Sequence, residues 1–555
     1  MISFTRTAIA EIRARLYSYV GEESFAVKVA TLDAHAWSLH SGFDENASLT
    51  GSFDQNIESV LDLLKRDDDT QDYLYNVQHL IVDEAQDLVG IRADLVTAFI
   101  SFLAPECGVT IFADEAQAIY DFAEDIPGVT HARQSTFVDR LGEETAHFKH
   151  VSLEKVHRTS SEKLQEIFTS VRRELLQANE KSGIFGKIRS RIGGLIDGQM
   201  PSVAKSPPWE TLSSGDLVLF RTRAEALHAA QFNKSPYSLR IGGYGTTLPP
   251  WLAISFHDFL ERYINQERFT DLWLARVRET CPPLYGHREA WERIYRLAGS
   301  GDGSLDLWHL RQCLARKSLP VELAEPDYGL AGPIIGTVHA SKGREADDVL
   351  YYVSEDPDFE DEQSELEETR VMFVGSTRAR RRLRFGVAPR SFARSLSSGR
   401  AYKKLGSSAA MLEIGRPSDQ DLSGLVGTGL QSQSATRMSQ NWLAKHACVM
   451  TQLEFSANPH DDWSYGAVAP LEGTHLTTLT RQFNYDYWEL IERIADRKLC
   501  RPAPTIRYVK SLGAMTVVAA PDDPALELLH DPWSRSGFAL APKVSAFTKV
   551  FVWKR

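Results

Sequence analysis

The segment His79-Leu80-Ile81-Val82-Asp83-Glu84-Ala85-Gln86-Asp87 constrains this chain more than any other. Leu80, Ile81 and Val82 form an uncharged aliphatic run, the pattern of a strand buried in a parallel sheet. Asp83 then stands at the carboxyl end of that strand, where open α/β sheets bind their ligands. A hard carboxylate at that point suits Mg2+ held through water, and the adjacent Glu84 suits orienting and deprotonating an attacking water. Taken alone, the same residues also describe a strand running into an acidic helix start, because acids favour helix N-termini.

The surrounding sequence repeats the strand–helix–strand rhythm of an α/β protein. Ile2 to Phe4 reads as extended, Ala8, Ile9, Ile12 and Leu16 recur at helical spacing, and Val27 to Leu32 reads as extended again. Leu80–Val82, Val109–Phe112 and Val151–Leu153 alternate with helical stretches. A first α/β domain is therefore expected over residues 1–160, with a minimal helical insertion near 41–76 around Ile57 to Leu64. Leu217–Phe220, Ile334–Gly336 and Val349–Val353 read as strands of a second α/β domain over 161–404, with a reduced helical insertion near 255–325. Gly406 to Ser439 is rich in Ser and Gly and is expected to be a linker over 405–440. Residues 441–555, with β-like runs at Met515–Ala519 and Lys549–Trp553, are expected to form a C-terminal β-containing accessory domain.

Charge and cysteine content narrow the partners. The net charge of −12 does not exclude nucleic acid, because only local charge matters for a groove. From Thr369 to Lys404 there is no acid, while Arg378, Arg380, Arg381, Arg382, Arg384, Arg390, Arg394, Arg400, Lys403 and Lys404 accumulate. Glu355 to Glu368 is strongly acidic and is expected to be a solvated loop. The five cysteines lie far apart with no Cys-x-x-Cys pair, which argues against a disulfide framework or zinc ribbon and for a reducing cytoplasm. The start, Met-Ile-Ser-Phe-Thr-Arg, lacks a signal-peptide pattern, and no apolar run reaches the length of a membrane span.

Further blocks follow in order. Thr110 to Phe122 reads Thr-Ile-Phe-Ala-Asp-Glu-Ala-Gln-Ala-Ile-Tyr-Asp-Phe, another strand ending in an acid, then a glutamine and two aromatics. Gln117 is placed to bond a γ-phosphate or attacking water, and Tyr120 and Phe122 to stack unpaired bases, although two aromatics at this spacing are also common in cores. Val151 to Ser160 reads Val-Ser-Leu-Glu-Lys-Val-His-Arg-Thr-Ser. Gly336 to Val349 reads Gly-Thr-Val-His-Ala-Ser-Lys-Gly-Arg-Glu-Ala-Asp-Asp-Val, and Glu367 to Leu383 contains Val-Gly-Ser-Thr-Arg-Ala.

This ordered set resembles the UvrD/Rep-like superfamily 1 DNA helicases over residues 1 to about 400. Ile-Ser-Phe-Thr-Arg-Thr-Ala-Ile-Ala-Glu-Ile at the start is similar to the family's first DNA-contacting motif, and Val29 to Trp37 to the next. The resemblance implies two RecA-like domains, ATP with Mg2+ as cofactors, and single-stranded DNA or a 3′-tailed duplex as partner. It implies Asp83 as Mg2+ ligand, Glu84 as catalytic base and Gln117 as γ-phosphate sensor. Arg158 and Arg378 would neutralise charge developing on the transferred phosphoryl group, and Glu345 would touch the ribose. His157, where the family usually has tyrosine, and Gly343 complete the nucleotide set. Phe4, Thr5, Thr31, Tyr120, Phe122, Thr337 and His339 would line a DNA groove. The implied activity is 3′-to-5′ translocation in repair, recombination or phage defence.

The pattern also breaks. The family's phosphate-cradling Gly-x-x-x-x-Gly-Lys-Ser/Thr loop is missing, since Gly186-Lys187 is followed by Ile188. As written, the chain is expected to bind ATP poorly, to hydrolyse it hardly at all, and to leave the first sheet with a raw edge. The reading taken is a start placed too late or a gene fragment. The alternatives are a split helicase completed by a protein that supplies the loop, or an ATP-hydrolysis-deficient DNA-binding module. Asp33 stands where the second DNA motif has histidine, and Asp121 and Ala123 replace the arginine-glycine region after the third. The short first insertion predicts weaker strand separation than translocation. No nuclease-like arrangement of acids and lysine occurs beyond residue 440.

Overall fold

The computed structural model describes residues 1–3, 6–44, 47, 53–119, 137–138, 141, 148–178, 182–200, 209, 212–281, 283, 285–316, 319–354, 357, 359–388, 393–428, 432–458, 464–470, 472–495 and 500–554. Its first sheet is built from β1 (Ile2–Ser3), β2 (Ala30–Thr31), β3 (His79–Val82) and β4 (Gly108–Ile111), all parallel, in the order β2-β1-β3-β4. Leu80 and Val82 of β3 turn inward onto Ile57, Val60 and Leu64 of helix Phe53–Arg66 and onto Phe99 of helix Ile91–Ser101. The helices over 53–75, expected as a small insertion, are thus part of this core rather than an appendage. β4 lies at the edge of the sheet, so its outer backbone groups pair with no strand among the described residues.

Two local expectations change here. The extended stretch at Val27–Leu32 shrinks to β2, because Thr31 caps a helix that starts at Leu32, its hydroxyl accepting from the Ala34 amide. Val151–Leu153 is not a strand. Val151 is 68% and Leu153 80% exposed, and with no sheet to pair with or core to bury them, apolar residues alone do not make a strand.

The second sheet draws on β5 (Gln199–Met200), β6 (Leu217–Phe220), β7 (Ser238–Arg240), β10 (Tyr328–Gly329), β11 (Ile334–Thr337), β12 (Ala346–Ser354) and β13 (Ala379–Ala388). Its order is β10-β7-β11-β6-β12-β13-β5, parallel except for the β10 pairing. Its central strands β6 and β11 are buried at every position, as the Leu-Val-Leu-Phe run of β6 and the Ile-Ile start of β11 favour. The short hairpin of β8 (Tyr263–Ile264) and β9 (Leu305–Asp306) sits among the helices of the 255–325 region.

A third, antiparallel sheet comprises β14 (Arg394–Ser395), β15 (Ala401–Lys404), β16 (Ala409–Ile414), β17 (Met450–Asn458), β18 (Ser464–Ala469), β19 (Thr474–Thr478), β20 (Cys500–Pro502), β21 (Thr505–Val518) and β22 (Phe538–Lys554). The expected linker over 405–440 is therefore wrong: it holds β16, helix Leu422–Val426 and most of helix Gln433–Lys445, with Ile414, Leu425 and Ser439 buried. Small polar residues there serve as helix caps and close-packed positions, which composition alone does not separate from a linker. Nor is the third sheet an isolated unit. Trp251, Phe256, Phe269 and Trp273 of the 255–325 helices share one core with Phe538 and Leu540 of β22.

A buried ion cluster joins the second and third sheets. Arg400 bonds Asp419 and Asp486, while Glu413 takes Arg223 and Arg416. Burial alone would push the Glu413 carboxyl up, but Arg223, Arg416 and Arg400 outweigh it and hold it below its ordinary value. The acidic stretch before Thr369 is another correction. From Glu362 it is helix, and buried Glu365 accepts the amides of Gly183 (3.0 Å) and Phe185 (3.0 Å). Cys281 and Cys448 pair as a disulfide with Cα atoms 5.6 Å apart, a single long-range pair that the fold brings together across 167 residues and that sequence spacing does not announce. Among the described residues no helix is long and apolar enough to cross a membrane.

Candidate functional site

β3 delivers the acid pair to the carboxyl edge of the first sheet. The Asp83 amide donates to the Ile2 carbonyl (2.9 Å), and the Ala85 amide to the Phe112 carbonyl (3.0 Å), so the pair is pinned between β1 and β4. Glu84 sits between them at φ 55°, a left-handed conformation that costs a non-glycine residue about 1–3 kcal/mol and persists only where neighbouring bonds enforce it. Burial pushes the Asp83 carboxyl up to about 6, and Glu84 beside it adds to the shift. A divalent cation would stabilise the ionised form, so the donor chemistry fits. Mg2+ is usually held by one or two carboxylates plus phosphate oxygens and water, and Asp83 could supply one of those carboxylates.

A hydrogen-bond chain runs from Glu84 into the second domain. The Gln86 amide group donates to Glu84, and its Oε1 accepts from the Asp114 amide (2.9 Å). Asp114 accepts from Gln117 Nε2 (2.8 Å) and from Arg172 Nε (2.9 Å). Gln117 Oε1 then accepts from an Arg378 Nη (2.8 Å), and Arg378 is fixed in turn by the Val374 carbonyl (3.0 Å) and the Thr377 hydroxyl (3.0 Å). Burial, and next to it the charge of Arg158, bring the Arg378 guanidinium down to about 10, against the pull of Glu84, Glu345 and Asp114. Arg158 pairs with Glu345 (2.5 Å), donates to the Thr377 carbonyl (3.1 Å) and lies over the Phe168 ring. Two guanidinium groups held close enough that one depresses the other, near the acid pair, suit an oligophosphate with its cation between them.

Sequence reasoning missed the second bridge between the domains. Lys342 Nζ bonds Asp87 Oδ1 (2.5 Å) and the Gln117 carbonyl (2.8 Å), with both side chains almost wholly buried. Burial raises the Asp87 carboxyl to about 6 even though Lys342 pulls the other way. Both residues lie inside the quoted blocks, but their partnership spans 255 residues and no local spacing announces it. Gln86 and Asp114 were missed for the same reason.

The remaining expected residues are placed as follows. His157 is exposed beside Arg158. Gly343, at φ 75°, lets the chain turn directly after Lys342, a conformation that favours glycine. Thr31 and Thr337 stand at the carboxyl ends of β2 and β11 and use their hydroxyls on the backbone, Thr337 accepting from the Ala340 amide (3.3 Å). His339 is half-buried, and burial, with Arg221 and Lys342 near it, lowers its pKa to about 3, so it is neutral. Phe4, Thr5, Tyr120 and Phe122 lie outside the described residues. Asp33 pairs with Arg92 (3.1 Å). The arginine-rich stretch is largely spoken for: Arg380 meets Asp347, Arg381 and Arg382 meet Asp348, and Arg400 is locked in the ion cluster.

A family model described as the UvrD/REP helicase N-terminal domain matches residues 43–135, the stretch that carries Asp83, Glu84 and Gln117. Over that stretch the chain is similar to the UvrD/REP helicases. No curated protein matches it. Arg158, Lys342 and Arg378 lie outside the matched stretch, yet the structure ties the last two to residues within it. The match points to a helicase-family function, and the matched family uses ATP with Mg2+ and acts on DNA.

Proposed function

We propose that this chain forms the motor of an ATP-driven translocase that moves 3′ to 5′ along single-stranded DNA, in repair, recombination or phage defence. The observation that carries the reading is the bonded chain Glu84–Gln86–Asp114–Gln117–Arg378, which links the acid pair of one domain to a buried arginine of the other. In this reading ATP bound with Mg2+ supplies the phosphoanhydride whose cleavage drives the motor. Asp83 holds the cation. Glu84 orients water and takes its proton. Gln117 relays the state of the site to Arg378, and Arg158 and Arg378 offset negative charge as the phosphoryl group transfers. Because Gln117 and Asp87 belong to the first domain and Arg378 and Lys342 to the second, any change at the acid pair bears on the contact between domains. Thr31, Thr337 and His339, with Phe4, Thr5, Tyr120 and Phe122 outside the described residues, supply the DNA groove, and His157, Gly343 and Glu345 the nucleoside end.

Turnover also needs a phosphate cradle, and residues 1–555 contain no Gly-x-x-x-x-Gly-Lys-Ser/Thr sequence. Among the described residues no strand pairs with the outer side of β4, beside the acid pair. The missing cradle also favours a second reading, a DNA-binding module without turnover or one half of a split helicase. Phosphate release stimulated by single-stranded DNA, measured on protein completed with a cradle-bearing segment, tests the proposal through Arg378→Lys. Lysine cannot bond Val374, Thr377 and Gln117 together, so kcat should fall by about 10³-fold or more. A variant that keeps its full rate removes the arginine from the chemistry.

A further inference from the structure

β22 carries two faces with different fates. Val550 and Val552 point into the core shared with the 255–325 helices. The alternate residues face the second domain at first, where Phe547 is buried against His228 of helix Arg223–Ala230, and then run out past that helix as Lys549, Phe551 and Trp553, all exposed. Lys403 and Met411 stand opposite Lys549 across the sheet, Ala409 opposite Phe551, and Arg501 opposite Trp553. No acidic side chain occupies any of these register positions, on a chain whose net charge is −12. Lys549 sits over the Phe551 ring at 4.8 Å. Beside this edge β21 is interrupted at Tyr508, which is 77% exposed and held at φ 63°, a region that bulky residues rarely enter. The Arg507 carbonyl accepts the Thr548 hydroxyl (2.9 Å), which keeps that bulge against β22.

We propose that this outer face of β22 is a second binding surface for single-stranded polynucleotide, separate from the motor cleft. Phe551 and Trp553 are two residues apart on one strand, about 6.8 Å, which is twice the rise of stacked bases and leaves room for one base between the rings. Lys549 and Lys403 supply phosphate contacts along the same line. Aromatic rings interleaved with cations, at register positions that hold no acid, are how proteins grip unpaired strands without reading sequence. A protein partner would bury these rings as well, but it would leave the lysines needing acidic counterparts, whereas a polynucleotide satisfies rings and charges together.

The full chain is irradiated with a 5-iododeoxyuridine-substituted oligothymidylate of about 15 nucleotides, and cross-linked peptides are mapped. The expected adduct lies on Phe551 or Trp553. The double variant Phe551→Ala/Trp553→Ala loses it and weakens anisotropy-detected binding about tenfold or more, while Trp553→Phe stays within about twofold. Lys549→Glu lowers the salt dependence of binding by about one ion and guards against misfolding of the double variant. Adducts confined to residues 1–404, unchanged binding in the double variant, or duplex bound as tightly as the single strand would each overturn the proposal. Loss of DNA-stimulated turnover in Arg378→Lys with this adduct intact tells the two sites apart.

Discussion

Replacing Lys342 with methionine removes the one ammonium that faces Asp87. The two side chains are 3% and 1% exposed, so solvent screening is slight, and breaking such a pair from one side costs about 3–5 kcal/mol. The loss depends on pH in a way that can be worked out. Burial already raises the Asp87 carboxyl to about 6 with Lys342 in place, and without Lys342 it rises further. A carboxyl raised on folding binds more protons in the native state, so stability falls as pH climbs from its unfolded value through its folded one. In the wild type that fall is complete near pH 6 to 7; in Lys342→Met it continues above that. Scanning calorimetry at pH 5 and pH 8 reads the difference. At about 2–4 °C per kcal/mol for a unit of this size, Lys342→Met should melt about 6–20 °C lower at pH 8, and only slightly lower at pH 5. Lys342→Met/Asp87→Asn, which removes both charges, should recover most of the loss. An equal loss at both pH values, or a double variant no better than the single one, would refute the reasoning.

Two other outcomes follow from buried charge. Arg400→Met strands Asp419 and Asp486 and should cost about 3–5 kcal/mol, read as a lower urea midpoint reported by Trp and Tyr of the third sheet. Lys510 donates to the Ala230 (3.1 Å) and Asn233 (2.6 Å) carbonyls, and burial brings its ammonium down to about 8. The native state therefore sheds that proton before the unfolded chain does, and stability should rise between about pH 8 and pH 10.5. Lys510→Met, compared by chemical denaturation across that range, should lose the rise.

Much of the site was legible because its chemistry sits at strand ends. The aliphatic runs at Leu80, Leu217 and Ile334 are strands, and those at Leu80 and Ile334 are followed closely by residues of the site or the expected groove. What could not be read was long-range pairing. Glu345 holds Arg158, and Gln117 spans Asp114 and Arg378, pairings across the chain that no local spacing announces. Composition misled where it stood in for geometry. The Ser- and Gly-rich stretch after Gly406 folds because its small residues pack closely: a Cβ on Gly415 would meet the Val544 carbonyl at 2.4 Å. The acidic stretch before Thr369 is helical because Glu365 has buried amides to accept. Part of the charge in the basic run after Arg378 is taken up because Asp347, Asp348 and Asp419 lie opposite it.

The central claim is that Asp83 and Glu84 are the hydrolytic centre of a DNA-stimulated motor. The most direct measurement is ATP turnover with and without single-stranded DNA, on this chain and on the chain extended by its upstream coding sequence. Glu84→Gln is placed in whichever form is active. The account predicts turnover that rises with DNA once a phosphate cradle is present and falls about 10²–10⁴-fold in Glu84→Gln, with DNA binding unchanged. No hydrolysis in either form, or a Glu84→Gln protein that turns over ATP normally, would contradict it.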